Sequence, residues 1–344
     1  MEIGIVGATG YGGVELFRLL SSYPGIDSIN LYSSTQSGEF FQELYSHVNN
    51  EQYTLQDLNP DKMSKQLDII FLATPAGVSS ELTPKLLEGK AKVIDLSGDL
   101  RLKDSRTYTN WYKKEAAIQS VLEKAVYGLP EWNKEAIQSA KVIANPGCFP
   151  TATLLGLAPV MNEQLADPKR IIIDAKSGIS GAGKNASPVT HFANTQENFR
   201  IYKVNQHQHI PEIEQQLKIW NSETNPITFS THLVPMTRGI MATIYVELLE
   251  SRSLEELIKL YQKVYENQPF VRIRKAGDFP CTRDVYASNY CDIGLTLDER
   301  TGRVTIVAVI DNLMKGAASQ AVQNMNLVLG NDESTGLHQV PVYP

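Results

Sequence analysis

Residues 142–153 put one cysteine where it can do chemistry. Val142-Ile143-Ala144 reads as a short β-branched strand and Asn145-Pro146-Gly147 as a turn. Cys148 stands just ahead of an apolar helical pattern of Leu154, Leu155, Leu157 and Val160. The unpaired N–H groups of a helix's first turn favour an anion. A thiol placed there has a lowered pKa and becomes a nucleophile. The other use of a cysteine at a strand end is as a small buried hydrophobe. The second candidate is His207-Gln208-His209, which precedes a helix with Ile213, Leu217 and Trp220 along one face and Pro211 near its start. If the segment is extended, the two-residue spacing points both imidazoles to one side. A metal would need further ligands, and no third stands nearby. A general acid or base serving a distant cysteine needs only one of the two. His191 and His232 are read as structural.

A third cluster suits a phosphate-bearing ligand. The short apolar strand Glu2-Ile3-Gly4-Ile5-Val6 runs into Gly7-Ala8-Thr9-Gly10-Tyr11-Gly12-Gly13, and a helix pattern carrying Val14, Leu16, Phe17, Leu19 and Leu20 follows. Between strand and helix, such glycines let the backbone turn tightly, approach a pyrophosphate and pack the helix on the sheet. A tight strand-to-helix turn without a ligand has the same look. The second strand (residues 28–32) ends in Ser33-Ser34-Thr35-Gln36. No acid stands there for a ribose 2′-OH, which favours NADP over NAD, although no Arg or Lys is present to pair with a 2′-phosphate.

The elements that must hold these residues read as two architectures. Residues 67–73 are a near-continuous apolar run of parallel-strand type, ending in Thr74-Pro75-Ala76-Gly77 ahead of a helix over 78–87. Residues 92–96 form another buried strand, ending in Ser97-Gly98-Asp99-Leu100-Arg101. Both loops sit at carboxyl ends of strands, where doubly wound sheets bind ligands, so Arg101 is either an anion clamp or a surface arginine paired with Asp99 or Asp104. The cysteine strand is expected to close this part of the sheet. Beyond it, a strand at 170–175 feeds Lys176-Ser177-Gly178-Ile179-Ser180-Gly181-Ala182-Gly183-Lys184. That loop could offer N–H groups to an anion or cofactor, or serve as a flexible connector. Strands are expected at 227–234, 240–249, 270–274 and 303–310, with a helix at 254–265. Together they indicate a mixed, largely antiparallel sheet with helices on one face. Asp311-Asn312-Leu313-Met314-Lys315-Gly316-Ala317-Ala318 opens a last helix whose small residues allow it to pack back on the first domain. Cys281 and Cys291 fall in a polar, turn-rich stretch and are read as non-catalytic.

Size and composition set bounds. At 344 residues the chain is long enough for two domains. Its 42% hydrophobic and 20% charged content is that of an ordinary globular protein. A formal net charge of −6 without a basic run excludes a nucleic-acid footprint. No stretch has the roughly 18 apolar residues of a membrane span, and Met1-Glu2 leads at once into a strand rather than a signal peptide. Three cysteines without metal-ligand spacing fit a reducing cytoplasm and give no metal site.

With these pieces together, the chain resembles the N-acetyl-gamma-glutamyl-phosphate reductases of the semialdehyde dehydrogenase family over essentially its whole length. The resemblance rests on the glycine turn, Asp95-Leu96-Ser97-Gly98-Asp99-Leu100-Arg101, Tyr127-Gly128-Leu129-Pro130-Glu131, Asn145-Pro146-Gly147-Cys148-Phe149-Pro150-Thr151, Ser177-Gly178-Ile179-Ser180-Gly181-Ala182-Gly183, His207-Gln208-His209-Ile210-Pro211-Glu212-Ile213 and Asp311-Asn312-Leu313-Met314-Lys315-Gly316-Ala317. It implies an α/β protein: a Rossmann-type dinucleotide-binding domain, residues 1–147 with 313–344, interrupted by an α+β substrate and dimerisation domain, residues 148–312. It implies NADP(H) as cofactor and N-acetylglutamyl phosphate as small-molecule substrate, reduced through a Cys148 thioester to the semialdehyde in arginine biosynthesis. By the same resemblance His209 is the acid/base and His207 a substrate contact, although spacing alone does not separate them. Gly7, Thr9, Gly10, Tyr11, Gly12, Gly13, Ser33, Ser34, Thr74, Pro75, Ser180, Gly181, Ala182 and Asn312 would line the cofactor. Arg101, Asn145, Glu212 and Lys184 would bind substrate, and a homodimer or homotetramer is expected. The competing readings are a reductase of N-acetylaminoadipyl or aspartyl phosphate and a non-enzymatic NADP-binding sensor. One methylene separates the longer substrate, a difference of about 1–3 kcal/mol in recognition.

Overall fold

Short apolar strands, several buried on both faces, make a parallel sheet in the first part of the chain, where the computed structural model describes residues 1–48 and 53–143. It describes residues 144–343 as well. Two compact units result: Met1–Pro146 with Ala317–His338, and Gly147–Gly316 with the residues from Gln339 onward.

The first unit runs β1 (Glu2–Val6), α1 (Tyr11–Leu20), β2 (Ser28–Tyr32), α2 (Phe41–Leu44), α3 (Pro60–Gln66), β3 (Ile69–Leu72), α4 (Val78–Leu86) and β4 (Lys92–Asp95). It continues with α5 (Ser105–Tyr112), α6 (Gln119–Lys124), β5 (Ala125–Tyr127), α7 (Pro130–Ser139) and β6 (Val142–Ala144). These strands pair parallel with one another, and the order is β2-β1-β3-β4-β6-β5. The order reverses at β1, which has β2 on one side and β3 on the other, so the loops after these strands flank a switch point of the kind that binds dinucleotides. The strand that leads to Cys148, β6, is the last of this sheet in chain order, as the sequence suggested, but not its edge. β5 lies outside it, and its three residues between two helices are too few to show a period. α12 (Ser319–Leu329) returns to this unit and packs on α1, α7 and β4.

The second unit begins with α8 (Cys148–Asn162), buried from Phe149 to Met161, followed by β7 (Ile172–Gly178), α9 (Phe192–Thr195) and β8 (Arg200–Tyr202). Then come α10 (Ile210–Trp220), β9 (Thr228–Val234), β10 (Ile240–Glu247), α11 (Leu254–Val264), β11 (Val271–Ile273), β12 (Cys291–Asp298) and β13 (Arg303–Ile310). The sheet order is β11-β12-β13-β10-β7-β9-β8. β10 pairs antiparallel with β7 and β13, whereas β7–β9 and β11–β12 are parallel, so the sheet is mixed. β9 and β10, neighbours in sequence, do not pair, because β7 lies between them. Every second residue of β10 (Ile240, Ala242, Ile244, Val246) is fully buried, and α8 packs on β10 and β13. The stretch holding Cys291 is a strand, not a polar turn region. Asp292 broke the apolar pattern there, and it is buried because Arg272 and Arg274 of the β11 segment hold its carboxylate at 2.6 Å each.

Candidate active site

Gly147 caps α8 and Cys148 is its first residue. The thiol-bearing residue is half-exposed while the helix behind it is buried. Two contacts fix that start. The Glu212 carboxylate, 1% exposed, accepts the Gly147 N–H at 2.8 Å. The Thr151 hydroxyl donates to the Gly147 carbonyl at 2.9 Å. Glu212 lies in the first turn of α10, so the helix that follows the histidines is tied to the helix that begins at the cysteine. This is a buried charge-assisted hydrogen bond, the strong kind.

The histidine pair is brought to the same place. Their segment is not extended: His209 has φ −82° and ψ −11° and caps α10. The turn nevertheless sets the rings 4.6 Å apart, because the His209 N–H donates to His207 Nδ1 at 3.2 Å. Phe149, the residue after the cysteine, meets both imidazoles edge-on, at 5.3 Å from His207 and 6.0 Å from His209. Tyr202 and Phe229 complete an aromatic wall around His207. Burial first, and then the Lys203 charge, lower the His207 pKa to about 3. Burial, and after it the charge of Cys148, push the Tyr202 hydroxyl above its ordinary value. Tyr202 therefore stands beside His207 and within electrostatic reach of the thiol. Sequence reading did not single out Phe149 or Tyr202. Only the position of Phe149, inside the cysteine motif, pointed to it.

In the same unit, Asn312 is 3% exposed and accepts the Gly239 N–H at 2.7 Å while donating to Ser180 Oγ at 2.9 Å. The expected Gly/Ser loop is thereby largely built: Lys176, Ser177 and Gly178 are in β7, and Ile179–Ala182 form a 3-10 turn. A Cβ on Gly181 would come within 2.7 Å of Ser177 Oγ. Ala182 and Lys184 are exposed.

In the first unit, Gly7 has φ +78°, and a Cβ there would lie 2.4 Å from the Ala73 carbonyl. A Cβ on Gly13 would lie 2.4 Å from the Gly7 carbonyl, so these two glycines close the turn and seat the helix. Around Gly10 and Gly12 there is room, with nothing nearer than 3.5 Å. Gly10 caps α1 without a side-chain hydrogen bond among the described residues, and the first turn carries no acid. The open, uncapped start of α1 at the switch point fits a pyrophosphate. Thr9 gives its carbonyl to the Tyr45 hydroxyl at 2.8 Å, and Tyr11 is exposed. Ser33 is buried, its Oγ turned to the N–H groups of Thr35 and Gln36, whereas Ser34 is exposed. Thr74 pairs with Ser79 at 3.1 Å beside the exposed Pro75. Asp99, also buried, stitches this loop by accepting the N–H groups of Gly77 at 2.9 Å and Ser80 at 3.1 Å.

Arg101 is not the surface arginine that the sequence allowed. It is 6% exposed, and its guanidinium donates to the carbonyls of Asn145 at 2.8 Å and Leu96 at 2.9 Å. Asp104 instead caps α5. Asn145 is fully buried, with its side-chain amide bonded to the Ala317 carbonyl and to Asn324. It holds Arg101 through its backbone rather than offering its own side chain.

A sheet wound about a dinucleotide switch point, joined to a second unit that carries a thiol at a helix start, defines a semialdehyde dehydrogenase. The family profile "Semialdehyde dehydrogenase, NAD binding domain" matches residues 2–140, and "Semialdehyde dehydrogenase, dimerisation domain" matches residues 148–312. Within this class the chain belongs to the N-acetyl-gamma-glutamyl-phosphate reductase family. It is 58% identical over 345 residues to a reductase of that name from Geobacillus sp. (strain WCH70) and 56% identical to that of Bacillus mycoides (strain KBAB4), each over 100% of both chains. Among solved structures it is similar to aspartate semialdehyde dehydrogenase II from Vibrio cholerae, with a TM-score of 0.73 at 21% identity over 96% of this chain and 98% of that one. The aspartate semialdehyde dehydrogenase with NADP from Candida albicans gives a TM-score of 0.68 at 14% identity over 95% and 98%. Both are likenesses of fold. The first unit is a nicotinamide-dinucleotide-binding domain, and the chain is an oxidoreductase. Among the described residues no helix is long and apolar enough to cross a membrane.

Proposed function

We propose that this protein reduces N-acetyl-L-glutamyl 5-phosphate to N-acetyl-L-glutamate 5-semialdehyde and phosphate, in arginine biosynthesis, through a thioester on Cys148. The observation that carries the reading is the thiol at the first position of α8, with Phe149 packing on both imidazoles. The Cys148 sulfur attacks the acyl carbon, the carbon–oxygen bond to phosphate breaks, and a thioester forms. His209 takes the thiol proton and passes it to the departing phosphate. The carbonyl oxygen's developing charge is met by N–H groups at the start of α8, and one such donor is typically worth about 3–4 kcal/mol. When bound, NADPH supplies the hydride that reduces the thioester carbonyl. Collapse of the resulting thiohemiacetal oxyanion re-forms the carbonyl, breaks the carbon–sulfur bond and releases the thiolate, which regains its proton from solvent through His209.

His209 is the better acid/base of the pair. A histidine with a pKa of about 3 is neutral at any working pH, and the bond from the His209 N–H to its Nδ1 leaves the His207 proton on Nε2. His207 is therefore a fixed donor, suited to a substrate oxygen. Arg101 and Lys184 supply positive charge for substrate anions, while Glu212 and Asn145 act by positioning Gly147 and Arg101. Gly7, Thr9, Gly10, Tyr11, Gly12, Gly13, Ser33, Ser34, Thr74 and Pro75 of the first unit would hold the cofactor, and Ser180, Gly181, Ala182 and Asn312 are the candidates for the same role in the second. NADP is the preferred form, because no acid stands after β2 to claim the 2′-hydroxyl. A homodimer or homotetramer assembles through the second unit.

The test is phosphate-dependent reduction of NADP by N-acetylglutamate semialdehyde, wild type beside Cys148→Ser. Activity in the wild type alone is expected. Equal activity in both would remove the thioester route. Silence in the wild type, with cofactor bound, would direct the assay to the one-carbon-longer substrate, and silence there too would favour the sensor.

A further inference from the structure

Between β13 and α12 the chain makes a π-helical turn, Met314–Ala318. Its wide bond runs from the Gly316 N–H to the Asp311 carbonyl at 3.0 Å. Such turns interrupt helices at a cost and concentrate at functional sites. Here the turn brings Gly316 against the nucleophile: a Cβ on Gly316 would lie 2.8 Å from Cys148 Cβ, 3.2 Å from Ile310 Cδ1 and 3.3 Å from the Asp311 carbonyl. Two of these atoms, Cys148 Cβ and the Asp311 carbonyl oxygen, are held directly by the main chain, and only Ile310 Cδ1 is a side-chain end. Cys148 Cβ is fixed to a helix buried from Phe149 onward, and Ile310 is fully buried.

The turn itself cannot retreat. The buried Asp311 carboxylate accepts the N–H groups of Ala287 at 2.8 Å, Leu313 at 2.8 Å and Met314 at 3.1 Å. Asn312, next in sequence, is bonded to Gly239 and Ser180. Glu212 fixes the opposite end of the contact by holding Gly147. Cys148 thus stands between a clamp on one side and a wall on the other, and only hydrogen at position 316 lets it stand there.

We infer that Gly316, held in the π-helical turn, is a positioning residue that sets where the Cys148 thiol stands. The inference rests on the reading of Cys148 as nucleophile. An alanine at 316 must push Cys148 from 2.8 Å to ordinary contact, a shift approaching an ångström, and misplacement of that size costs on the order of 10²-fold in rate.

The test compares Gly316→Ala with Gly294→Ala, a close-packed glycine of β12 whose Cβ would meet Pro280 Cδ at the same 2.8 Å. The primary readout is the pH profile of Cys148 alkylation by iodoacetamide, which needs neither substrate nor cofactor. Gly316→Ala is expected to move that profile and to lower kcat by about 10²-fold with KM nearly unchanged. Gly294→Ala is expected to lose thermal stability and keep the wild-type alkylation profile. Adding Ile310→Val relieves the 3.2 Å contact but not the contact with the cysteine, so Gly316→Ala/Ile310→Val should recover stability without recovering reactivity. It also stands in if the single variant does not fold. An alkylation profile identical to the wild type in either Gly316 variant overturns the inference. Cys148→Ser retaining activity would overturn the nucleophile reading instead, and leave the alkylation result to report on the thiol's position alone.

Discussion

At the scale of single residues the site sets one histidine against the other. His207 is enclosed by Phe149, Tyr202, Phe229 and His209, and its folded pKa of about 3 lies well below the ordinary value of 6.5. The sign of the linkage follows. Below pH 6.5 the unfolded chain binds a proton that the folded one refuses, so stability is full above about 6.5 and is lost as pH falls towards 3. The loss is up to about 1.4 kcal/mol for each pH unit. In His207→Gln, whose amide oxygen can still accept the His209 N–H, this increment is absent. Urea unfolding of both proteins at pH 7, 6, 5 and 4 reads it as a wild-type-minus-variant difference that shrinks with acid. Parallel curves would mean that His207 titrates in the fold as it does in the unfolded chain. The sequence allowed the pair to be singled out because acid/base residue types are rare and their spacing was tight. What separates their roles is an aromatic wall assembled from β8, β9 and α8, and residues so far apart in the chain leave no local trace of such a neighbourhood. Arg101 was ambiguous for the same reason, since its partners are two main-chain carbonyls that a sequence does not display.

Among elements, the strand–turn–helix at the amino terminus is where sequence and structure agree most closely. β1 and β2 have the expected bounds because each glycine or serine cluster ends an apolar run. Gly13 shows how strictly: its Cβ would strike the backbone of Gly7 and Ala8, at 2.4 Å and 2.6 Å, whereas a Cβ on Gly12 meets nothing nearer than 3.9 Å. Gly13→Ala is expected to lose about 1–3 kcal/mol of stability by overpacking and to weaken NADPH binding as the helix start is displaced. Gly12→Ala should keep its stability. Cofactor fluorescence titration with thermal melts distinguishes the two, and equal behaviour would show that the helix start is free to adjust. Elements defined by distant partners were less legible. β12 was missed because the acid that interrupts it is matched by Arg272 of β11 and by Arg274 just beyond that strand, and the π-helical turn was missed because only its packing against Cys148 gives it a reason.

At the scale of the whole molecule, assembly turns on the second unit's sheet. Along β10 the residues facing α8 are buried, while Met241, Thr243 and Tyr245 between them remain half-exposed. Register places these three beside Lys176, Asp174 and Ile172 of β7, and Ile172 is 42% exposed. One side of the sheet is therefore packed under a helix, and the other is a pleated face of apolar and self-paired polar residues, Lys176 meeting Asp174 at 2.9 Å. A second copy of this chain is the fitting occupant. The sheet belongs to a segment that matches a dimerisation domain, and a charge pair already neutralised within one face costs less to desolvate on association than a lone charge. The expected outcome is a wild-type mass in light scattering of at least twice the chain's, and a shift towards monomer on Met241→Asp/Tyr245→Asp, with circular dichroism preserved because neither side chain is in the buried set. A fully active wild-type monomer, or a variant that keeps the wild-type mass, would place the subunit contact elsewhere.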